Sequence, residues 1–262
     1  MNDTRIFAMT SDSELIRFAA ALGETMLVSG AETYRVEDTI ERILSVGRRR
    51  DPETFVTTTG IFVCIKQDDD TPLTVVKRVK GRSTNLEKVT AANALSRDFT
   101  DGRITLNEAI LRLNGINKIA SYKAIKVILG YGVVGGGFAF MLGSSITDSI
   151  CAFVIGFILG VAMHFFKKNR SEVLFGGFLG GFLIAVSAVA FVKSGIGGDI
   201  NGIIIGAAMP LVPGVAATTA IRDIMEGDYV SGVSRLMEAV LTAVAIAGGA
   251  GIALNILGGV GL

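Results

Sequence analysis

Gly206-Ala207-Ala208-Met209-Pro210-Leu211-Val212-Pro213-Gly214, followed by Val215-Ala216-Ala217-Thr218-Thr219-Ala220-Ile221-Arg222-Asp223, decides how the chain is read. The run is apolar and long enough to cross a bilayer, yet prolines and a glycine interrupt its middle. Proline inside a helix removes a backbone donor and clashes with the preceding turn. In lipid the freed carbonyls find no water, so such a break survives only inside protein or beside a wet cavity. Broken helices at membrane depth are the sequence mark of transport sites. Counted from Ile200 to Ile221, Pro210 is the eleventh of 22 residues, near the midplane. Pro213-Gly214 would restart the chain as a half-helix whose positive end suits a carboxylate. Ala216, Ala217, Thr218 and Thr219 are small enough to leave room, and Arg222-Asp223 would end the span at the cytoplasmic surface.

Working outward, the run is one of five apolar segments, at about 125–142, 150–166, 173–192, 200–221 and 236–257. Each is close to the ~20 residues that cross the hydrocarbon core. Lys and Arg set the expected orientation. Arg112, Lys118, Lys123 and Lys126 precede the first segment, and the loop Gly143–Ser149 carries none. Lys167, Lys168 and Arg170 follow the second, Lys193 flanks a nearly uncharged loop, and Arg222 and Arg235 lie in the loop after the fourth. The expected topology has the N-terminus in the cytoplasm and the C-terminus outside, in a cell inner (plasma) membrane. Small residues recur four apart at Gly132/Gly136, Gly156/Gly160, Gly176/Gly180, Gly177/Gly181 and Gly202/Gly206, which lets helix backbones approach closely in lipid.

Ionisable groups inside spans are expensive, so the few present are candidates for function. Asp148 and Asp199 lie at the outer ends of segments. Glu238 is one turn into the fifth and could pair with Arg235 or Arg222, and His164 sits near the inner end of the second. Asp148, Asp199 and Glu238 are the ion-coupling candidates. Asn201, Thr218 and Thr219 are neutral and could line a path with Pro210, Pro213 and Gly214. Arg222 and Asp223 are read as an inner gate.

The net charge of +1 averages two unlike halves. Of the 25 Lys and Arg, 19 lie at or before Lys126, while 26 of the 33 glycines lie after it. Residues 1–120 are therefore expected to form a cytosolic α+β domain, and 121–262 a five-span transmembrane domain. Met1 to Thr10 is polar, and no signal peptide is expected. Ser11-Asp12-Ser13-Glu14 reads as a helix start, with a capping serine or aspartate and an acid in the first turn. Leu15, Phe18, Leu22, Met26 and Leu27 then recur at helical spacing until Gly30. A second helix should run from about Ala31 to Val46. Its Glu37, Asp38, Glu41 and Arg42 read as a solvated face with close charge pairs, and Arg48-Arg49-Arg50 would suit its C-terminus. No aromatic residue interleaves with those arginines, so no nucleic-acid partner is expected.

Glu53–Thr59, Ile61–Gln67 and Leu73–Val79 read as strands. Asp68-Asp69-Asp70 between the last two lacks the glycine and distal glutamate of a calcium loop and reads as a polar hairpin tip. Helices should follow at about Asn85–Phe99 and Leu106–Asn114. Cys64 and Cys151 lack ligand spacing and read as small buried side chains. No metal site, cofactor or catalytic constellation is expected: Ser29, Glu24, Glu32 and Thr33 could supply a nucleophile or base, but the chain's one histidine lies in the other half.

Two stretches together carry a family likeness. Leu22-Gly23-Glu24-Thr25-Met26-Leu27-Val28-Ser29-Gly30-Ala31-Glu32-Thr33-Tyr34-Arg35-Val36-Glu37 resembles the N-terminal signature of the threonine/serine exporter family. Pro210-Leu211-Val212-Pro213-Gly214 with Ile221-Arg222-Asp223-Ile224, Gly227-Asp228-Tyr229 and Gly232 resembles its membrane signature. The resemblance implies export of threonine and serine driven by an ion gradient. It also implies a split form: full-length members carry ten spans, so a second, short five-span membrane protein would supply the other half of a homo- or hetero-oligomer in the lipid bilayer. Split members have been linked to dicarboxylate (succinate) export, which is the alternative substrate class. The family's soluble half has been described as hydrolase-like, and a membrane-anchored hydrolase is the remaining alternative to a non-enzymatic exporter subunit.

Overall fold

The computed structural model describes residues 11–46, 51–67, 69–81, 83–120, 122–166 and 172–258. Arg48-Arg49-Arg50, Asp68, Lys167, Lys168 and Arg170, on which parts of the reading above rest, lie outside them. Backbone contacts divide the chain into two units. One holds residues up to Ser121 together with Thr218–Arg235, and the other holds Tyr122–Ala217 and Leu236 onward. The N-terminal unit therefore takes in a piece of chain that composition alone assigns to the apolar half.

In the N-terminal unit, α1 (Asp12–Val28) is the central helix. Leu15, Ile16, Phe18, Leu22, Met26 and Leu27 are almost fully buried, and each such side chain contributes about 1.5–3 kcal/mol relative to exposure. Asp12 and Glu14 occupy its first turn as expected, but the Ser11 hydroxyl makes no capping bond. Gly30, at φ +95°, ends the helix in the left-handed region, and the Ala31 amide reaches back to the Met26 carbonyl at 3.1 Å. Around α1 pack α2 (Thr33–Leu44), the sheet β1 (Glu53–Thr57), β2 (Gly60–Lys66) and β3 (Pro72–Arg78), then α3 (Leu86–Thr100) and α4 (Leu106–Asn117).

The sheet is antiparallel in the order β1-β2-β3, with Val56 opposite Ile61 and Phe62 opposite Val76. Ile61, Val63 and Ile65 point into the core. Phe62 points out and pairs across the strand with Phe55, ring centroids 6.1 Å apart. Asp69 caps the hairpin tip by accepting from the Thr71 amide and hydroxyl, which holds its carboxyl below the usual range.

The second unit is built on helices. Three are long and apolar enough to cross a membrane: α5 (Ala124–Met141), α6 (Ile146–Phe166) and α7 (Glu172–Lys193). A fourth, α10 (Tyr229–Gly258), continues into it. Between α7 and α10 lies the bent pair α8 (Ile200–Ala208) and α9 (Gly214–Met225), joined by a 3₁₀ turn, Met209–Leu211. Among the described residues four helices are long and apolar enough to cross a membrane, or up to five spans if the bent pair is one. α10 begins seven residues before the expected 236 and runs for 30 residues, ~45 Å at helical rise.

Glycines set the packing here. A side chain on Gly132 or Gly136 would meet Phe153 and the Ser149 carbonyl of α6, while one on Gly156 or Gly160 would meet the backbone of Tyr131 or Ile128 on α5. Those two expected pairs thus interlock. Gly181 of α7 likewise faces the Ile246 carbonyl of α10. Ile155, Leu159, Ile184, Ala188, Ile203 and Ala207 form the buried apolar cluster between α6, α7 and α8.

Candidate functional site

The break in the apolar unit follows from its residues. The Asp199 carboxylate caps α8 by accepting from the Asn201 and Gly202 amides at 3.0 and 3.1 Å. Eleven residues after Asp199, Pro210 enters, and the helix tightens into the 3₁₀ turn. Val212 is extended, as the residue before a proline must be. Pro213 then sits at the start of α9, where its missing N–H is no loss, and its carbonyl accepts the Ala217 amide at 3.0 Å. The two segments meet at 60°.

Ala208, Met209, Val212 and Pro213 form one wall of a cavity of about 270 Å³, with Gly181 and Ile184 of α7 and Ala243, Ile246 and Ala247 of α10 opposite. The lining is apolar. Asn201 is exposed on α8, Gly214 and Thr218 are exposed on α9, and Thr219 is buried there; none of the four lines the cavity.

Asp148 is buried at the start of α6. Its carboxylate accepts from the Ser145 hydroxyl at 2.7 Å and from the Gly198 and Asp199 amides at 2.7 and 3.3 Å, so it clamps the loop before α8. Glu238 is half-buried on α10, and the two arginines considered for it are engaged by other carboxylates.

Those arginines belong to the N-terminal unit and to a knot that spacing does not reveal. Glu32 precedes α2 without capping it. The cap comes from 190 residues downstream. Asp223 accepts from the Thr33 amide at 3.0 Å and from the Thr33 hydroxyl at 3.3 Å, placing a carboxylate at a helix N-terminus. Arg235 Nε lies 3.1 Å from the same carboxylate, and its Nη2 donates to the Ala31 carbonyl at 3.0 Å. Asp223 and Arg235 are buried at 0% and 5% exposure, so neither charge can fall back on water. Arg222 donates to Glu32 at 2.8 Å, and Arg35 holds the other Glu32 oxygen. Arg222 and Asp223 therefore reach two neighbouring residues of the N-terminal signature stretch, Arg222 the Glu32 carboxylate and Asp223 the amide and hydroxyl of Thr33.

The α9–α10 corner that carries this knot is tight. Gly227 adopts φ +96°, the Asp228 amide returns to the Asp223 carbonyl at 2.8 Å, and Gly232 abuts the Ala220 carbonyl. Glu37, one turn past Thr33, departs from the solvated face expected of it. Its carboxylate turns under the sheet and accepts the Val56 amide at 2.7 Å. Burial pushes its carboxyl up to about 7; the Val56 bond opposes this, and Asp228, Glu41 and Asp223 add to it. Asp38 and Arg42 do form the expected surface pair, at 2.8 Å.

Of these groups, Glu32, Thr33 and Glu37 stand in the first signature stretch and Asp223 and Asp228 in the second, but nothing in their spacing says that they meet. Arg235 carried one signal, a lone cation beside an apolar run. Among the described residues no group of three or more His, Cys, Asp or Glu is placed to hold a metal ion.

Several apolar helices, with a bent pair broken at paired prolines, mark a multi-pass membrane protein. The chain belongs to the threonine/serine exporter family: the family described as "Putative threonine/serine exporter" matches it over residues 17–257. It is similar to the threonine/serine exporter of Corynebacterium glutamicum, 24% identical over 249 residues, covering 92% of this chain and 51% of that protein. The chain thus spans about half the length of this curated relative. No solved structure matches it significantly.

Proposed function

We propose that this chain is one half of a secondary-active exporter of small carboxylate-bearing solutes, above all threonine and serine, and that a second short five-span membrane protein supplies the other half. The observation that carries the reading is the 60° break at Met209–Pro213 beside an apolar cavity, in a member of an exporter family. A helix restart offers amide dipoles to a carboxylate, and an apolar wall accepts a short aliphatic side chain. In this reading Pro210, Pro213 and Gly214 make the break, and Asn201, Thr218 and Thr219, which lie outside the apolar cavity, are polar groups of a path that continues past it. Arg222 and Asp223 gate the inner end, and Glu238, Asp148 and Asp199 are the coupling candidates. The lysines before α5 support an N-terminus in the cytoplasm and a C-terminus outside the plasma membrane.

Cells loaded with a threonine-containing dipeptide test this. Deleting the chain and its partner should raise internal threonine several-fold. Replacing Pro213→Ala and Gly214→Ala together should cut efflux about tenfold at unchanged expression. Normal efflux would reduce the break to packing. A strain that retains succinate while exporting threonine normally would move the substrate to dicarboxylates.

A further inference from the structure

Glu37 and Asp228 have no role in the export reading, and the inference drawn from them does not depend on it. Four elements converge on this carboxyl. From its own helix comes Glu41, and just before that helix stands Glu32, bound to Arg222 and Arg35. β1 gives the Val56 amide, which donates at 2.7 Å. From α9 comes Asp223, its charge held by Arg235 and by Thr33. The α9–α10 turn contributes Asp228. One Asp228 oxygen, Oδ2, is buried and has no hydrogen-bond partner among the described residues. A buried carboxylate oxygen without a donor is costly, and its charge adds to those already bearing on Glu37. Asp223 has a buried cation, Arg235, on it.

We propose that Glu37 is a proton-operated latch: with its proton on, segment 218–235 stays seated against the start of α2, and with its proton lost, repulsion among Glu37, Asp228 and Asp223 loosens that seat. Proton loss breaks only the O–H bond of the Glu37 carboxyl, and the proton passes to solvent. The sign follows from linkage. Glu37 binds its proton more tightly in the seated state than in an opened one, where a glutamate titrates near its ordinary 4.5. Seating is therefore strongest below about pH 4.5, weakens as pH rises to about 7, and is level above. Asp228 is raised in the same direction, by burial first and then by Asp223 and Glu226, so it adds to the slope. The helix gripped by the latch is α9, the one that starts at the Pro213 break. The segment that responds to pH is thus continuous with the segment that is broken.

Hydrogen exchange of the full chain in detergent micelles tests the proposal, read on peptides covering 218–232 and corrected for the intrinsic pH dependence of exchange. The wild type should open up to about tenfold more at about pH 8 than at about pH 6. Glu37→Gln should remove that step and hold the protected level at both values. Asp228→Asn takes away a neighbouring charge and should move the midpoint of the step to lower pH, an effect that a merely structural role would not produce. A wild type without the step would overturn the latch. So would a Glu37→Gln protein with the wild-type step, or, should that variant fail to fold, an Asp228→Asn midpoint that stays in place.

Discussion

The two units of this chain solve the same problem with opposite materials. In the N-terminal unit, elements distant in sequence are joined by specific donors and acceptors: Asp223 caps a helix that begins 190 residues earlier, and Arg235 neutralises it. In the apolar unit, helices are joined by the absence of side chains, with Gly132, Gly136, Gly156 and Gly160 letting α5 and α6 meet backbone to backbone. Water explains the difference. A water-soluble core is closed by removing apolar surface from solvent, and polar groups inside it must then be paired one by one. Between helices in lipid that driving force is missing, and contact area through small residues replaces it. One unit should therefore fail by leaving a charge stranded, the other by being pushed apart.

The largest expected effect breaks the first side of that comparison. Asp223→Ala leaves Arg235 buried without its carboxylate, a change that typically destabilises by ~3–5 kcal/mol. Thermal unfolding of the purified chain in micelles, followed by circular dichroism, should show it as a large fall in midpoint. A midpoint within a degree or two of wild type would mean that Arg235 is not held in this way.

The second prediction tests the other side with a matched pair. Gly156→Ala would press a methyl onto the Tyr131 carbonyl and the Gly132 backbone, which cannot rotate away, whereas a methyl on Gly137 meets nothing within 4 Å. Overpacking of ~1–3 kcal/mol should outweigh the ~1 kcal/mol that alanine gains over glycine in a helix, so Gly156→Ala destabilises and Gly137→Ala does not. If both variants moved the same way, close approach would not be what joins α5 to α6.

The smallest effect sharpens the comparison within the knot. Thr33→Val keeps the amide bond to Asp223 and deletes the hydroxyl bond at 3.3 Å, so it should weaken the unit by only ~1 kcal/mol. A loss as large as that of Asp223→Ala would show that the hydroxyl, rather than the charge pair, organises the corner.

Much of this architecture was legible in the sequence, and the reason is periodicity. Leu15, Phe18, Leu22 and Met26 announce a buried helix face, Ile61, Val63 and Ile65 a half-buried strand, and the first three apolar runs announce their helices to within a few residues. Pro210 and Pro213 announced the break because proline acts on its own neighbours and needs no distant partner. What stayed hidden depends on tertiary approach. The assignment of 218–235 to the N-terminal unit turns on Asp223 and Arg235 finding Thr33 and Ala31, which no local pattern encodes. Glu37 looked like a surface acid because it follows Arg35 and precedes Asp38 on a helix rich in charge. Its burial comes from β1 folding over it, and the Val56 amide is invisible in a list of side chains.

Gly214 carries a further consequence. Its φ lies outside the left-handed region, and a methyl placed on it would meet nothing within 4 Å, so neither sterics nor backbone geometry demands a glycine at the start of α9. In the unfolded chain that glycine roams more freely than any other residue would, and folding must collect that freedom each time. Glycine at residue 214 is therefore better explained by motion than by fit: it leaves the junction after Pro213 loose enough to change its angle.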